Sequence, residues 1–502
     1  MKKHTKILRS LVAVLLAFLM VGTLIPATAF AASTSDEIQG EIVEHVNFLE
    51  SVVTGLRNFF QRMIDFFKNL FGIKDEEIPV VIPTDNKYYA SISDAVGDIN
   101  AGTAGENADA LEETAEVAMY EDENGKFVVE LLKDIRLDST LTISSDATIV
   151  LNGYALSANG ISAIEITDGD VVINGVENGS EIYVANAGSA RAVLLSGGNA
   201  QLISGAYSIT SANNTSCIGV SGGEMKIDGA VISANGASGN VRGIDIGAQG
   251  TAYIDNSDIK AFCTGANAYG INAYGKLTID NSKVFVNGDT KTRALIVAKG
   301  ATANASNSEF IGYTTILVKV TRSSQGISNS GKLTINDCYA YGNHSGISNA
   351  GELYIKGGTY ESPGNGGIYF GNIGTPAYVY DATIRRCPQK EGLDASQADF
   401  NDAGFYIGGG SDRNNVVVFM DNCDIGGDVW AITLRGTSNE HDNALYISNS
   451  RLTGKGYVRV DNNTHRLFIG AGNNFTINDV ADLSKNPLDA GTVIITDATY
   501  RY

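Results

Sequence analysis

Gly275-Lys276-Leu277-Thr278-Ile279-Asp280-Asn281-Ser282 is the stretch that decides the fold, because close copies of it recur along the chain. The clearest copies are Gly331-Lys332-Leu333-Thr334-Ile335-Asn336-Asp337-Cys338 and Gly351-Glu352-Leu353-Tyr354-Ile355-Lys356-Gly357-Gly358. Each copy has the alternating apolar residues of a short strand, followed by turn residues. Recurrence of one such unit along a chain is the sequence signature of a repeat architecture.

The last apolar residue of each strand marks the repeat, which returns after about 20 to 30 residues in most cases. These markers are Leu151, Ile173, Ile203, Ile227, Ile254, Ile279, Ala305, Ile335, Ile355, Val379, Met420 and Ile447. Two positions after every marker stands Gly, Asn or Asp. These residues enter the left-handed backbone region at low cost, so we expect a sharp turn at the same place in each repeat.

The position three residues after the marker holds a small residue in every repeat from the third onward. It holds Ala206, Ala230, Ser257, Ser282, Ser308, Cys338, Gly358, Ala382, Cys423 and Ser450. A column of small residues predicts an inward stack with little room. Two of the five cysteines therefore stand where other repeats have serine, which favours a packing role for them over a redox role.

Each repeat has a second strand upstream, as in Arg242-Gly243-Ile244-Asp245-Ile246 and Tyr269-Gly270-Ile271-Asn272. A repeat with at least two short strands cannot bury its apolar residues alone and must stack on its neighbours. Propeller blades need about 40 residues and four strands each. The pattern therefore predicts an all-β fold, a right-handed parallel β-helix, because parallel crossovers prefer that hand.

The Leu-Thr-Ile-Asp-Asn-Ser strand-turns resemble the pectate-lyase-like superfamily of right-handed β-helices, from about Lys126 to the C-terminus. The resemblance implies the fold, and a secreted bacterial surface or adhesin-type member suits it best, but the architecture also hosts lyases and hydrolases. The hydrolase pattern has paired aspartates and a histidine between glycines, and the lyase pattern has a calcium-holding acidic cluster. Neither can be matched here, so no catalytic residue is carried over.

The segments before the β-helix have different patterns. Residues 1–31 have a basic start, an apolar core and the small-x-small site Ala29-Phe30-Ala31, which predicts a signal peptide and a secreted, extracellular or surface-associated protein. Residues 84–125 are expected to cap the β-helix, with an amphipathic helix around Tyr89–Val96 that covers its open end. The β-helix itself is assigned to residues 126–502.

Residues 36–73 form an amphipathic heptad segment, followed by a linker at 74–83. Its apolar residues alternate by four and three from Ile42 to Leu70, the spacing of a coiled-coil seam. We expect residues 38–73 to mediate oligomerisation or to bind a partner helix. Folding back onto the chain's own β-helix is the alternative.

Charge excludes some partners. Asp and Glu outnumber Lys and Arg by 56 to 36, a net charge of −20, which disfavours nucleic acid and anionic membrane surfaces. No segment after the signal peptide has the length and apolarity of a membrane span. The five cysteines contain no CxxC pair, so no metal site is predicted from them.

A longer interval at residues 385–413 interrupts the period and is expected to bulge from the β-helix. Its charged residues Asp402, Asp412 and Arg413 are candidate ligand-binding residues, with a solvated loop as the alternative. Gly408-Gly409-Gly410-Ser411-Asp412 is similar to a glycine-rich calcium turn, in one copy. No cofactor is predicted, and calcium is the one ion that this turn leaves open.

Tyrosines cluster in a few successive repeats, and Tyr341, Tyr360 and Tyr369 are candidate sugar-stacking residues. An inward aromatic stack in the core is the alternative. Two functions therefore stay open: a non-catalytic surface protein that presents a rigid rod to a polysaccharide or a surface protein, and a polysaccharide lyase or glycoside hydrolase with a divergent site. The missing catalytic patterns favour the first.

Overall fold

The computed structural model describes residues 86–314, 324–371, 376–387, 403–408, 416–428, 430–435, 443–460, 465–476, 479–482 and 493–501. In these residues the chain winds into a parallel β-solenoid, so the predicted all-β class and stacked repeats are confirmed. Right-handed winding stays a prediction from the crossover preference. The segments 1–31, 36–73 and 74–83 lie outside the described residues.

The described elements are, in chain order, β1 (Lys87–Tyr89), α1 (Ile92–Ala101), β2 (Val117–Glu121), β3 (Phe127–Leu131), β4 (Ile135–Leu137), β5 (Leu141–Ile143), β6 (Ala147–Val150), β7 (Ala155–Asn159), β8 (Ile164–Ile166), β9 (Asp170–Gly175), β10 (Glu181–Ala185), β11 (Val193–Leu195), β12 (Asn199–Ser204), β13 (Ala206–Ser211), β14 (Thr215–Val220), β15 (Glu224–Asp228), β16 (Val231–Gly236), β17 (Asn240–Ile246), β18 (Thr251–Asp255), β19 (Asp258–Cys263), β20 (Asn267–Ala273), β21 (Lys276–Asp280), β22 (Lys283–Gly288), β23 (Thr292–Val297), β24 (Thr302–Ser306), β25 (Glu309–Thr314), β26 (Ser324–Asn329), β27 (Lys332–Asn336), β28 (Tyr339–Gly342), β29 (Ser345–Asn349), β30 (Glu352–Lys356), β31 (Thr359–Ser362), β32 (Ile368–Phe370), β33 (Ala377–Tyr380), β34 (Thr383–Arg386), β35 (Ala403–Gly408), β36 (Val417–Asp421), β37 (Asp424–Gly426), β38 (Trp430–Arg435), β39 (Ala444–Ser448), β40 (Arg451–Thr453), β41 (Gly456–Val460), β42 (Arg466–Ile469), β43 (Val480–Asp482) and β44 (Val493–Ile495).

These strands form three sheets, here called sheets A, B and C. Sheet A holds 17 strands, β1, β2 and then every third strand from β3 to β42 with β44. Sheet B holds the 13 strands β4, β7 and so on to β40, and sheet C the 14 strands β5, β8 and so on to β41 with β43. Each turn of the solenoid therefore contributes one strand to sheet A, one to sheet B and one to sheet C. The predicted strand-turns lie on sheet A and the predicted upstream strands on sheet C.

The marker column points into the core of sheet A. Its register runs from Ile254 to Ile279, Ala305, Ile335 and Ile355, all of them nearly or fully buried. Two of the predicted markers were wrong by one or two positions. Leu202, not Ile203, pairs with Ile173, and Ile149, not Leu151, stands one turn earlier.

The predicted turn column is confirmed in backbone conformation. Eleven of its twelve residues have positive φ, for example Asn256 at 49° and Asn281 at 44°, and Gly175 is the exception. The side chains also pair from turn to turn, because Asn281 Nδ2 donates to Asn256 Oδ1 over 2.6 Å. The column ends each sheet A strand and directs the chain into sheet B.

The small-residue column is a buried hydrogen-bonded ladder. Ser257, Ser282 and Ser308 are each 3 % exposed or less. The backbone N–H of Ser257 donates to Ser282 Oγ over 3.0 Å, and that of Ser282 donates to Ser308 Oγ over 3.2 Å. Cys338 and Cys423 are each 2 % exposed in the same column, so their predicted burial is confirmed.

A helix and a hairpin close the N-terminal end. Helix α1 begins after Ser91, whose side chain accepts from the backbone N–H of Ser93 over 3.1 Å, and it ends at Gly102 with φ 69°. It contacts β3 and β5, and β1, β2 and β3 pair antiparallel beside it. The predicted helix is present, but it begins at Ile92, because Tyr89 belongs to β1 and is fully buried.

Candidate functional site

The clustered tyrosines do not share one surface. Tyr341 lies half-buried on the outer side of sheet B, Tyr369 lies half-buried on sheet C, and Tyr360 points into the core. Each turn has three outer faces and an interior, so residues that are close in sequence are distributed over all of them. The structure therefore does not bring the three predicted residues together.

Tyr360 is fully buried, and its hydroxyl donates to the carbonyl oxygen of Gly357 over 3.0 Å. Desolvation by burial raises its pKa well above the usual value, and nearby acidic groups raise it further. Its ring is packed in the core of the solenoid, so the expectation that it stacks on a sugar is wrong. The alternative, an inward aromatic residue, holds for this position.

Tyr369 packs against Tyr406 of the next turn, with 5.2 Å between ring centroids and 14° between ring planes. His344 meets its ring edge-on at 6.1 Å. The histidine is itself buried, with Asn365 Nδ2 2.9 Å from its Nε2. One face of Tyr369 is thus occupied by a neighbouring ring, which leaves less of it for a ligand.

Tyr341 stands near Cys387, which directly follows β34 of sheet B. Within the interval 385–413, residues 385–386 belong to β34 and residues 403–408 form β35 of sheet C. Burial raises the pKa of Tyr341 to about 12, with Cys387 as the next cause. The neighbouring Tyr339 hydroxyl donates to Glu361 Oε2 over 3.2 Å. Asp402, Asp412 and Arg413 lie outside the described residues, so their role as ligand-binding residues stays a prediction.

A row of outward aromatic rings lies on sheet A, and its register was not predicted from the sequence. It consists of Tyr354, Tyr378, Phe419, Tyr446 and Phe468 on successive strands. The last four stack on one another, with centroid separations of 5.4, 4.6 and 4.0 Å and ring planes within 16° of parallel. Because the ring faces meet each other, the row presents mainly edges to solvent and stabilises the stack of turns.

The same outer face of sheet A is polar at its N-terminal end and forms a groove there, with a cavity volume of about 460 Å³. Its polar lining consists of Lys126, Asp170, Asn199, Gln201, Glu224 and Lys226. Asp170, Asn199 and Glu224 occupy one register row on β9, β12 and β15. Val172, Gln201 and Lys226 form the next row on the same strands.

Neighbouring side chains hold the groove in place. Asn199 Nδ2 donates to Asp170 Oδ1 over 2.8 Å, and Lys226 Nζ lies 3.5 Å from Glu224 Oε1. Tyr253 continues the Lys226 row on β18 and is 41 % exposed. An exposed ring thus stands one strand beyond a run of hydrogen-bonding groups.

No protein-family model, curated protein or solved structure matches this chain. Within the described ranges, no helix has the length and apolarity needed to cross a membrane. In the same residues no three His, Cys, Asp or Glu side chains gather in a group that could hold a metal ion. The candidate site is the sheet A groove, which we call the polar groove, together with the exposed Tyr253.

Proposed function

We propose that the protein is a non-catalytic extracellular β-helix protein of the pectate-lyase-like type, which binds a polysaccharide along the polar groove. The observation that carries the proposal is the two register rows of side chains on β9, β12 and β15, continued by the exposed Tyr253. Amide, ammonium and carboxylate groups can donate to or accept from sugar hydroxyls. A tyrosine ring beside them offers a rigid apolar surface to a sugar ring.

Rigid strands suit recognition of a long polymer. The groups of each row are one strand apart, about 4.8 Å, so the polymer meets the same spacing from turn to turn. Because the side chains project from the strands of sheet A, no loop has to be ordered when they bind. A surface protein is the other partner class, and it would have to fit a groove that is lined mainly by polar side chains.

A divergent polysaccharide lyase or glycoside hydrolase is the second candidate function. Asp170 and Glu224 occupy equivalent positions two strands apart, about 10 Å between their Cα atoms. Pairs of carboxylates across a sugar chain perform acid-base hydrolysis. Here Asn199 binds the first carboxylate and Lys226 pairs with the second, an arrangement that suits positioning of a bound chain.

Affinity electrophoresis and calorimetry with neutral polysaccharides, such as glucans, xylans and mannans, test the proposal. We expect one class to bind, and Tyr253→Ala and Lys226→Ala each to weaken binding about tenfold, the loss of roughly 1.4 kcal/mol. Lys260→Ala is the matched control. Lys260 pairs with Asp258 on sheet B over 2.6 Å, the same two-residue spacing as Lys226 and Glu224.

Two results would overturn the proposal. Binding that is equal in the wild type and in both groove variants would place the ligand elsewhere. New reducing ends or unsaturated products, if Asp170→Asn or Glu224→Gln abolished their formation, would establish the enzyme instead.

A secreted protein that begins at Ala32 is also expected, and an intact Met1 in the exported protein, detected by mass spectrometry, would contradict the signal peptide.

A further inference from the structure

The outer face of sheet C has a row of arginines separate from the polar groove. Ser216, Arg242, Tyr269, Arg293 and Gln325 pair in register on β14, β17, β20, β23 and β26. Arg191 precedes β11 by two residues and stands level with Ser216. A Cβ atom at Gly219 would lie 3.3 Å from Arg191 Nε, so the Arg191 side chain crosses β14.

The three arginines Arg191, Arg242 and Arg293 are here called the arginine row. Very little negative charge lies near them. Arg242 Nε lies 4.0 Å from Asp245 Oδ1, and the Arg242 guanidinium lies 5.8 Å from the centroid of the Tyr269 ring. Burial lowers the pKa of Arg191, Asp245 opposes this, and Arg242 lowers the pKa further. Burial raises the pKa of Tyr269, and the positive charges of Arg293 and Arg242 lower it.

Three cations elsewhere on the solenoid are paired with a carboxylate of the next turn. Lys283 lies 3.2 Å from Glu309, Lys332 2.8 Å from Glu352, and Arg385 2.6 Å from Asp424. In the arginine row, the Nε atoms of all three arginines are buried and have no hydrogen-bond partner among the described residues. A ligand outside the sheet cannot reach a buried Nε–H, so an oxyanion would be bound by the Nη–H groups, which can also donate two hydrogen bonds to it. Arg191 Nη1 already donates to the carbonyl oxygens of Ser189 and Ala190, and the Arg242 side chain is 22 % exposed.

Spacing selects the kind of anion. The arginines stand on or level with every second strand, so their backbones are about 10 Å apart. This exceeds the reach of a single phosphate or sulfate group, whereas a linear polymer with recurring charges can contact all three. Tyr269 lies between Arg242 and Arg293 and adds an aromatic surface, which suits a sugar backbone.

We propose that the arginine row binds the oxyanion groups of a linear anionic polysaccharide that lies along the outer face of sheet C. The site is independent of the polar groove and differs from it in ligand charge. Although the whole chain has a net charge of −20, its distant carboxylates are screened beyond about 8 Å at physiological ionic strength. The local cations therefore determine binding at this face.

The test measures binding of dextran sulfate, polygalacturonate and neutral dextran to the purified protein at 0.15 M salt, a value at which screening is about as in a cell. We expect at least one polyanion to bind and neutral dextran not to bind. The double variant Arg242→Gln with Arg293→Gln should weaken polyanion binding about a hundredfold, since each substitution removes a charge-assisted pair. Binding of dextran sulfate alone would identify sulfate as the recognised group, and binding of polygalacturonate alone would identify carboxylate.

Arg136→Gln is the matched control, because Arg136 is an exposed arginine on β4 of sheet B. It should bind like the wild type, and circular dichroism should show all variants folded. The proposal fails if neither polyanion binds, if the double variant binds as tightly as the wild type, or if Arg136→Gln loses as much. Tyr253→Ala, which probes the polar groove, should leave polyanion binding unchanged, so each proposal can fail without the other.

Discussion

Ser282 Oγ accepts a hydrogen bond from the backbone N–H of Ser257, one turn earlier, over 3.0 Å, and both residues are buried. The same hydroxyl donates to the carbonyl oxygen of Asp280 over 2.7 Å. One side chain thus satisfies a backbone donor of the preceding turn and an acceptor of its own turn. The ladder joins turns at a point where the chain leaves sheet A and cannot use sheet hydrogen bonds.

Ser282→Ala should destabilise the protein by about 1–3 kcal/mol, because it leaves the buried N–H of Ser257 without a partner. The measurement is the urea concentration at half-unfolding. Cys338→Ser is the control: Cys338 Sγ donates to the Asn336 carbonyl over 3.4 Å, a bond that serine can keep. We expect it to cost less than half as much. Equal midpoints for Ser282→Ala and the wild type would contradict the ladder's role.

Asn281 tests the turn column, since its φ of 44° is unfavourable for most side chains. Asn281→Ala and Asn281→Gly both remove the side-chain bond to Asn256, so their difference isolates the backbone. We expect the glycine variant to be more stable by about 1 kcal/mol. At Thr278, inside β21, the order should reverse, with alanine more stable than glycine. The same order at both positions, in urea unfolding, would contradict this explanation.

Repetition explains how much of the fold was predictable. The turn and small-residue columns recur at fixed offsets, so the conformation of Asn281 and the burial of Cys338 followed from alignment of the repeats. The wrong marker Leu151 is buried like Ile149 but lies just beyond the end of β6, whereas Ile203 directly follows the inward Leu202. A shift of one residue turns a side chain to the other face of a strand.

Sheet B and the arginine row were harder to predict from the sequence. Sheet B strands such as β22 (Lys283–Gly288) directly follow the turn residues, so in the sequence they look like part of the turn region. Arg191 and Arg293 precede Ala-Val and Ala-Leu and had no such signal, whereas Arg242, Tyr269 and Gln325 each precede Gly and Ile in the upstream strand. Alignment of the residues before that pair would have placed them on one face. The tyrosines could not be placed, because the variable repeat length hides which of three faces each occupies.

The free cysteines give a prediction about pH. Burial, and after it the charge of Glu361, raise the pKa of Cys387 to about 11, so little thiolate is present at neutral pH. Cys217, Cys338 and Cys423 are more deeply buried, and burial raises the pKa of each. In the folded protein, Cys387 should react first with iodoacetamide, at a rate that rises about tenfold per pH unit below its pKa.

Peptide mapping after alkylation between about pH 7.5 and 9.5 measures these rates. All five cysteines should react in urea, which serves as the control for reagent and detection. Fast reaction of Cys387 at neutral pH, with no increase toward alkaline pH, would mean that its thiol is not buried as described. Earlier reaction of Cys338 or Cys423 would contradict their place in the buried column.

The heptad segment is the remaining part of the chain for which the sequence makes a sharp prediction. Leu49, Phe60 and Phe67 belong to a continuous apolar seam, which is too wide to stay in contact with water if the segment is helical. We expect protein that begins at Ser33 to sediment as an oligomer and protein that begins at Thr84 as a monomer. Analytical ultracentrifugation at several concentrations measures both.

Substitutions within that segment separate association from folding back onto the solenoid. Leu49→Lys places a charge in the seam and should dissociate the oligomer, since a charge is costly to bury there without a partner. Ser51→Lys adds the same charge two residues later, at a heptad position opposite the seam, and should leave the oligomer intact. If both the Ser33 and the Thr84 proteins are monomers, and the segment in the longer one resists proteolysis, then it packs against its own chain and the oligomerisation hypothesis is wrong.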